Sequence, residues 1–141
     1  MSHELRLPIT GLADAAVARA LVVRFALGFG LSRRAASELA IAASELVTNV
    51  VKYAGTGELV LSEEPDAVLI SAFDRGPGLV DPEQLFEDGV SRGSRREPDR
   101  PISSGQGTGG GALRRLCDSV EIVERPGGGT IVRVRKRRPI G

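Results

Sequence analysis

The chain has 141 residues and a net charge of +1, with 41% hydrophobic and 26% charged residues. These values are typical of one globular domain with a buried core, and the charge neither favours nor excludes a polyanionic partner. The single cysteine, Cys117, excludes an internal disulfide and a cysteine-cluster metal site. Since no apolar run reaches the roughly 18 residues that span a bilayer and the N-terminus lacks a signal-peptide pattern, we expect a cytoplasmic protein without a membrane partner.

The N-terminal residues predict one strand and one helix. Alternating apolar residues over Glu4–Ile9 are typical of a short edge strand. Thr10 is placed to cap a helix that begins at residue 11 or 12. Gly28 and Gly30 are predicted to end this helix.

A second helix is predicted from Arg33 to about Ala54, with Ser32 as its N-cap. One face of it is apolar at every turn, through Leu39, Ala43, Leu46 and Val50. Glu45 and Asn49 are four residues apart, so they stack on a face that flanks this apolar stripe. A carboxylate and an amide in this arrangement can hold a divalent ion and orient a nucleophile, although a solvated helix face is the alternative.

The remainder predicts four strands, a long irregular segment and a third helix. The strands are predicted at 58–63, 67–73, 119–124 and 130–137. Residues 81–104 contain prolines and arginines with little apolar periodicity, which is typical of a lid or a disordered insert. The third helix is predicted from about Gly110 to Cys117. Strands grouped with helices on one face predict a two-layer α/β sandwich.

Two glycine-rich segments flank the irregular segment. Asp74 comes where an apolar strand ends and is followed by Arg75-Gly76-Pro77-Gly78, which is either a plain turn or a site where a carboxylate meets an exocyclic amine. The run Gly105–Gly111 is either a flexible linker or a set of bare amides that bind phosphates at a helix start. A Rossmann fingerprint is rejected because residues 101–104 form a poor strand, and a Walker loop is excluded because no lysine and serine follow.

These motifs, in this order, resemble the GHKL ATPase superfamily. Glu45-x-x-x-Asn49 followed by Lys52-Tyr53-Ala54 resembles its N-box, and Asp74–Gly78 and Gly105–Gly109 resemble its two glycine boxes. Within the superfamily the chain is most similar to the small serine kinases of bacterial stress and sporulation switches, the RsbT type. The resemblance implies the Bergerat fold, with a mixed, mostly antiparallel sheet, in a single domain over 1–141 whose lid lies at about 81–108.

The resemblance also implies a bound Mg²⁺-ATP and a role for each motif. Asn49 coordinates the Mg²⁺, Glu45 acts as the general base and Lys52 neutralises phosphate charge. Asp74 reads the adenine amine, and Thr130 reaches the adenine through water. Gly76 and Gly78 allow the adenine ring to approach the backbone closely. The backbone amides that bind the phosphates come from Gly105, Gly107 and Gly109. Gly110 departs from the family pattern, which has leucine there.

The resemblance further implies that the chain is an enzyme, an ATP-dependent serine/threonine kinase of a sigma-factor switch. Its expected substrate is a STAS-domain antagonist. After release from this substrate, the kinase is expected to bind a downstream phosphatase or sigma-factor regulator. Two alternatives remain: an ATP-gated anti-sigma binding module with little catalysis, and a detached histidine-kinase ATPase domain. The second alternative is disfavoured because His3, the only histidine, lies in the N-terminal residues.

The C-terminal strand carries a basic cluster. Arg133 and Arg135 alternate with Val132 and Val134, so we expect them on the wet face of an edge strand. No aromatic residues are interleaved with the arginines to stack bases, and we therefore predict no nucleic-acid partner.

Overall fold

The structure, a computed structural model, describes residues 4–74, 109–125 and 128–138. Its elements are β1 (Glu4–Ile9), α1 (Asp14–Phe29), α2 (Arg33–Tyr53), β2 (Gly57–Glu64), β3 (Ala67–Asp74), α3 (Gly109–Leu116), β4 (Ser119–Glu124) and β5 (Thr130–Arg137). Each predicted strand and helix is present, with small shifts at its ends. The predicted lid lies outside the described residues.

The five strands form one sheet in the order β1-β2-β3-β5-β4, and every neighbouring pair is antiparallel. The prediction that β1 is an edge strand is therefore confirmed, and β3 lies in the middle of the sheet. The prediction that β5 is an edge strand is wrong. β5 lies between β3 and β4 because it pairs with both, leaving β4 at the edge.

One face of the sheet packs against the helices and forms the core. Leu59, Ile70 and Val134 come from three neighbouring strands, and none is more than 1% exposed. The apolar stripe predicted on α2 meets this face, since Leu39 and Leu46 are at most 1% exposed. The predicted two-layer α/β sandwich with helices on one face is confirmed.

The opposite face of the sheet carries the arginines of β5. Arg135 makes a two-pronged ion pair with Glu64, at 2.7 and 3.0 Å, and Arg133 donates to the Ser71 hydroxyl and to Glu121. The Glu64 carboxylate has a lowered pKa because it accepts these Arg135 hydrogen bonds. The two arginines were expected to be solvated, but both are half-buried and both form hydrogen bonds with neighbouring side chains.

The two predicted N-caps have different outcomes. The Ser32 hydroxyl accepts from the Ala35 backbone N–H at 3.0 Å, which confirms the cap of α2. Thr10 does not cap α1, whose first residue is Asp14. Instead the Asp14 carboxylate accepts from the Thr10 backbone N–H at 2.7 Å and from the Gly11 N–H at 3.2 Å, and these bonds lower its pKa. Asp14 therefore binds N–H groups of the residues before α1, whereas an N-cap hydroxyl would accept from an N–H inside the helix.

The helices end as the glycines predicted. Gly30, with φ +114°, follows α1 in the left-handed region, and its N–H donates to Ala26 and Leu27 carbonyls. Gly28 lies within α1 and does not stop it. Gly55, with φ +89°, follows α2. The two ends place α1 and α2 as an adjacent antiparallel pair over the sheet, with α2 over its middle.

Candidate functional site

A cavity opens between the C-terminal half of α2 and the adjoining ends of β3 and β5. Its lining residues are Leu46, Asn49, Val50, Tyr53, Ala72, Asp74, Thr130 and Val132. The walls are mainly apolar, and the polar groups are gathered from three different elements. Apolar walls with a few convergent polar groups are typical of a site that holds a flat ring and fixes its orientation.

The polar end of the cavity is formed by Asp74 and Thr130. Asp74 is the last residue of β3 and follows Ala72 on the helix-facing side, where it is 9% exposed. The backbone N–H of Thr130, the first residue of β5, donates to Asp74 Oδ1 at 3.2 Å. Because an ionised carboxylate can accept about four hydrogen bonds, Asp74 can bind this amide and also a ligand amine.

Asn49 contributes a buried amide to the same cavity. Its Nδ2 is inaccessible to solvent and has no hydrogen-bond partner among the residues that the structure describes. A buried polar group without a partner costs about 1–3 kcal/mol, so such groups are rare and call for an explanation. A ligand in the cavity would supply the missing partner, and rotation of the amide would present its oxygen to a hard cation.

Two glycines allow the end of β3 to sit in this position. A Cβ on Gly129, which has φ +98°, would overlap the Asp74 carbonyl oxygen. A Cβ on Gly57 would overlap the Phe73 carbonyl and lie 2.8 Å from Val50 Cγ1. At Gly57 and at Gly129, the neighbouring backbone therefore lies closer to the Asp74 end of β3 than it could if either residue had a side chain.

Arg125 fastens the same end from the opposite face of the sheet. Its Nη1 donates to the Asp74 carbonyl at 3.3 Å, and its guanidinium lies 5.9 Å from the centre of the Phe73 ring. The Arg125 backbone N–H also donates to the Gly129 carbonyl, closing the β4–β5 turn. The position of the Asp74 carboxylate is therefore fixed by both the backbone and side chains.

The cavity brings together some of the predicted site residues and not others. Asn49, Asp74 and Thr130 line it, as the sequence predicted for a common site. Glu45 is half-buried one turn before Asn49 and is not a lining residue, while Lys52 is exposed, with its Nζ 5.3 Å from the Tyr53 ring centre. Gly109 begins α3. The others lie outside the described residues: Gly76, Gly78, Gly105 and Gly107.

The apolar walls were not predicted as part of a site. Leu46 and Val50 were assigned to the core stripe of α2, and Ala72 and Val132 to the alternation of buried strands. Periodicity distinguishes buried from exposed positions but not a core neighbour from a ligand. The nearest available indication was their spacing: Leu46 and Val50 lie three and one residues from Asn49, while Ala72 and Val132 lie two residues from Asp74 and Thr130.

The fold and the cavity define an α/β domain with a candidate binding cavity between a helix and an antiparallel sheet. The chain belongs to the family described as the histidine kinase-like ATPase domain, whose model matches residues 10–136. It is 33% identical over 114 residues to the serine/threonine-protein kinase RsbT of Bacillus subtilis, covering 78% of this chain and 77% of that one. The predicted assignment to the GHKL superfamily and to a kinase-type enzyme is confirmed.

Solved structures share the fold. The RsbU and RsbW domains of Rv1364c from Mycobacterium tuberculosis match 97% of this chain with TM-score 0.60 and 18% identity, and this chain spans 33% of that one. The SiaB–SiaC complex of Pseudomonas aeruginosa matches 94% of this chain and 88% of that one, with TM-score 0.57 and 11% identity. The histidine kinase domain of the E. coli osmosensor EnvZ matches 96% and 89%, with TM-score 0.51 and 19% identity.

The helices give no indication of a membrane-crossing segment. Among the described residues, no helix combines the length and the apolar character needed to cross a bilayer.

Proposed function

We propose that this chain is an ATP-dependent protein serine/threonine kinase of a bacterial stress or sigma-factor switch. The observation that carries the proposal is the convergence of Asn49, Asp74 and Thr130 on one cavity with apolar walls. The relationship to RsbT supports transfer to a serine or threonine, since that relative is a serine/threonine-protein kinase.

In this proposal the adenine ring lies between the apolar walls. The Asp74 carboxylate accepts a hydrogen bond from the exocyclic amine of adenine, and the Thr130 N–H holds the carboxylate in orientation. Guanine has a carbonyl where adenine has that amine, so the same carboxylate would face an acceptor and disfavour GTP. Thr130 also contacts the ring through a water molecule. Gly76 and Gly78 let the ring approach the backbone closely.

The phosphates extend from the cavity past Asn49. Asn49 would hold the Mg²⁺, because its side chain lines the cavity and an amide oxygen suits a hard cation. The metal, when bound, neutralises phosphate charge. Lys52 adds a positive charge from the last turn of α2, and the phosphate oxygens accept from the backbone amides of Gly105, Gly107 and Gly109.

Glu45 acts as the general base that receives the proton of the attacking hydroxyl. It lies one helical turn before Asn49 and therefore on the same side of α2. Positioning and charge stabilisation supply most of the rate in phosphoryl transfer, and the base orients the nucleophile. Its place outside the cavity lining is consistent with this role, because the base must contact the incoming hydroxyl rather than the adenine.

The phosphorylated partner in this proposal is a STAS-domain antagonist, and release from it frees the kinase to bind a phosphatase or a sigma-factor regulator. The support is the resemblance to switch kinases and a structural neighbour that was solved as a two-protein complex, SiaB–SiaC.

The test is a transfer assay with radiolabelled Mg-ATP and STAS-domain proteins from the same organism. The wild-type chain is expected to label a partner serine or threonine, and Glu45→Gln to bind ATP normally but transfer phosphate at least about 100-fold more slowly. Ser44→Ala, at the position directly before Glu45 in α2, is the control and is expected to keep wild-type transfer. ATP binding without transfer by the wild type would instead indicate an ATP-gated binding module.

A further inference from the structure

The C-terminal end of α3 is fastened by one lysine, Lys136 of β5. Its Nζ donates to the carbonyl of Leu116, the last residue of α3, at 2.6 Å and to Glu38 Oε1 on α2 at 2.8 Å. The Lys136 side chain is only 14% exposed, although lysine is usually solvated. We call Lys136, Glu38 and the Leu116 carbonyl the α3 clamp.

The position of Lys136 is one at which an apolar residue would be expected. Along β5, Val132 and Val134 face the helices, and Lys136 is the next residue on that face. A partly buried ion pair contributes little net stability compared with well-packed apolar side chains, but it restricts its partners to one geometry. The clamp is thus better suited to positioning α3 than to stabilising the fold.

Further contacts hold the same end of α3. Leu113 is fully buried, the Asp118 N–H donates to the Arg135 carbonyl, and the Asp118 carboxylate accepts from the Arg137 N–H at 2.6 Å. The N-terminal end of α3 begins instead with three glycines, Gly109–Gly111. α3 is therefore held by several contacts at its C-terminal end, where the clamp also lies.

The short length of α3 gives the clamp leverage over the other end. Its eight residues span about 12 Å. A tilt of about 10° at the Leu116 end would move the Gly109 amide by about 2 Å, which is enough to break a hydrogen bond that requires 2.7–3.2 Å. The orientation set at the clamp therefore determines where the first amides of α3 lie.

We propose that Lys136 is a positioning residue for phosphate binding: through the clamp it aims the N-terminal amides of α3 at the nucleotide phosphates. This inference rests on the proposed function. Lys136 itself does not contact the nucleotide, because the Leu116 carbonyl that it binds lies at the end of α3 opposite the glycines. No clamp residue lines the adenine end of the site, although that end is built from α2, β3 and β5.

The test compares two ligands. Calorimetry gives the dissociation constant of Mg-ATP, and an NMR titration gives that of adenosine, which lacks phosphates. In Lys136→Met, which keeps the length of the side chain and removes its donors, ATP is expected to bind at least tenfold more weakly while adenosine affinity changes less than twofold. Lys136→Arg, which can donate to both partners, is expected to restore ATP binding to within about threefold.

Arg137→Met is the matched control. The Arg137 side chain is exposed and points to the opposite face of the sheet, and the contact of Arg137 with Asp118 is made by its backbone N–H, which the substitution keeps. Equal losses for ATP and adenosine, or no loss for ATP, would overturn the inference. If Lys136→Met does not fold, Glu38→Gln provides the same comparison. It removes the charge that pairs with Lys136 and with the exposed Arg34, and it leaves the bond from Lys136 to the Leu116 carbonyl. It is expected to shift the ATP-to-adenosine ratio in the same direction. Failure of the wild type to bind ATP would instead overturn the proposed function.

Discussion

The backbone N–H of Thr130 donates to the carboxylate of Asp74 at 3.2 Å, so the first residue of β5 orients the last side chain of β3. The two residues are 56 positions apart in the chain, and they meet at the polar end of the cavity. Their contact depends on the close approach of Gly129 to the Asp74 carbonyl. The specificity that we propose for adenine depends on this arrangement.

Asp74→Asn is expected to weaken ATP binding by about 10- to 100-fold, the effect of losing a hydrogen bond to a charged group. The amide oxygen still accepts from Thr130, so the introduced NH₂ group faces the adenine amine, which is also a donor. The preference for ATP over GTP is expected to narrow as well. Calorimetric titrations with both nucleotides measure the two effects.

Asp66→Asn, in the exposed β2–β3 turn, is the control for the loss of a negative charge. It is expected to bind both nucleotides as the wild type does. Equal ATP affinity in wild type and Asp74→Asn would contradict the assignment of Asp74.

Asn49→Ala is expected to weaken Mg-ATP binding without lowering the free energy of unfolding. The free energy of unfolding should stay the same or rise by up to about 1 kcal/mol, because the variant removes a buried donor without a partner among the described residues and places alanine in a helix. Mg-ATP affinity should fall by at least about tenfold, as one ligand group is lost. Urea unfolding and calorimetry measure the two quantities.

The exposed neighbour Thr48→Ala is the control for Asn49→Ala. A destabilisation above about 2 kcal/mol in Asn49→Ala would show that the amide has a structural partner, against our interpretation.

Gly129→Ala is expected to destabilise the fold by more than about 2 kcal/mol, since it adds a clash with the Asp74 carbonyl to the cost of about 1–2 kcal/mol for a left-handed alanine. It should also weaken ATP binding by displacing Thr130. Gly55→Ala has a similar backbone, at φ +89°, but open space around its Cβ. It should therefore show only the backbone cost. Equal unfolding free energies for the two variants would contradict the steric argument.

The stability contributed by Glu38 is expected to depend on pH. The hydrogen bond from Lys136 lowers the pKa of Glu38 below its ordinary value of about 4.5. A carboxylate with a depressed folded-state pKa stabilises the fold fully above its unfolded value and loses this contribution as pH falls through the folded value. The difference in melting temperature between wild type and Glu38→Gln should thus be constant above about pH 5.5 and shrink below about pH 4.5.

Glu124→Gln, an exposed carboxylate on β4, is the control for this pH series. Its melting temperature should follow that of the wild type at every pH. A difference between wild type and Glu38→Gln that grew on acidification would mean that the sign of the Glu38 shift is wrong.

The sequence predicted the elements well where the local pattern carried the information. The apolar stripe of α2 matched the structure because one face of that helix is buried. The alternation of β1 predicted the strand, although only Ile9 is fully buried and Leu5 is exposed. α1 is different: apolar residues lie on several of its sides, so that Val17 and Leu27 are exposed while Ala18 and Val22 are buried. A helix with apolar residues all round does not reveal its buried face.

The contacts that complete the site are long-range, and local pattern does not contain them. Lys136 and Glu38 are 98 residues apart, and nothing near either residue predicts their pairing. The position of β5 likewise depends on a long-range pairing. Because β4 pairs with β5, Arg133 and Arg135 lie on an inner strand of the sheet and not on an edge strand. The family resemblance, not periodicity, predicted that Asn49, Asp74 and Thr130 share a site; the three line one cavity, and their roles stay predictions.

The central claim is that the cavity between α2, β3 and β5 binds the adenine of ATP. A crystal structure of the chain with Mg²⁺ and a non-hydrolysable ATP analogue tests it most directly. The account predicts an adenine ring between Val50 and Val132, with its exocyclic amine within 3.2 Å of an Asp74 carboxylate oxygen. A nucleotide bound anywhere else on the chain, with the cavity unchanged, would contradict it.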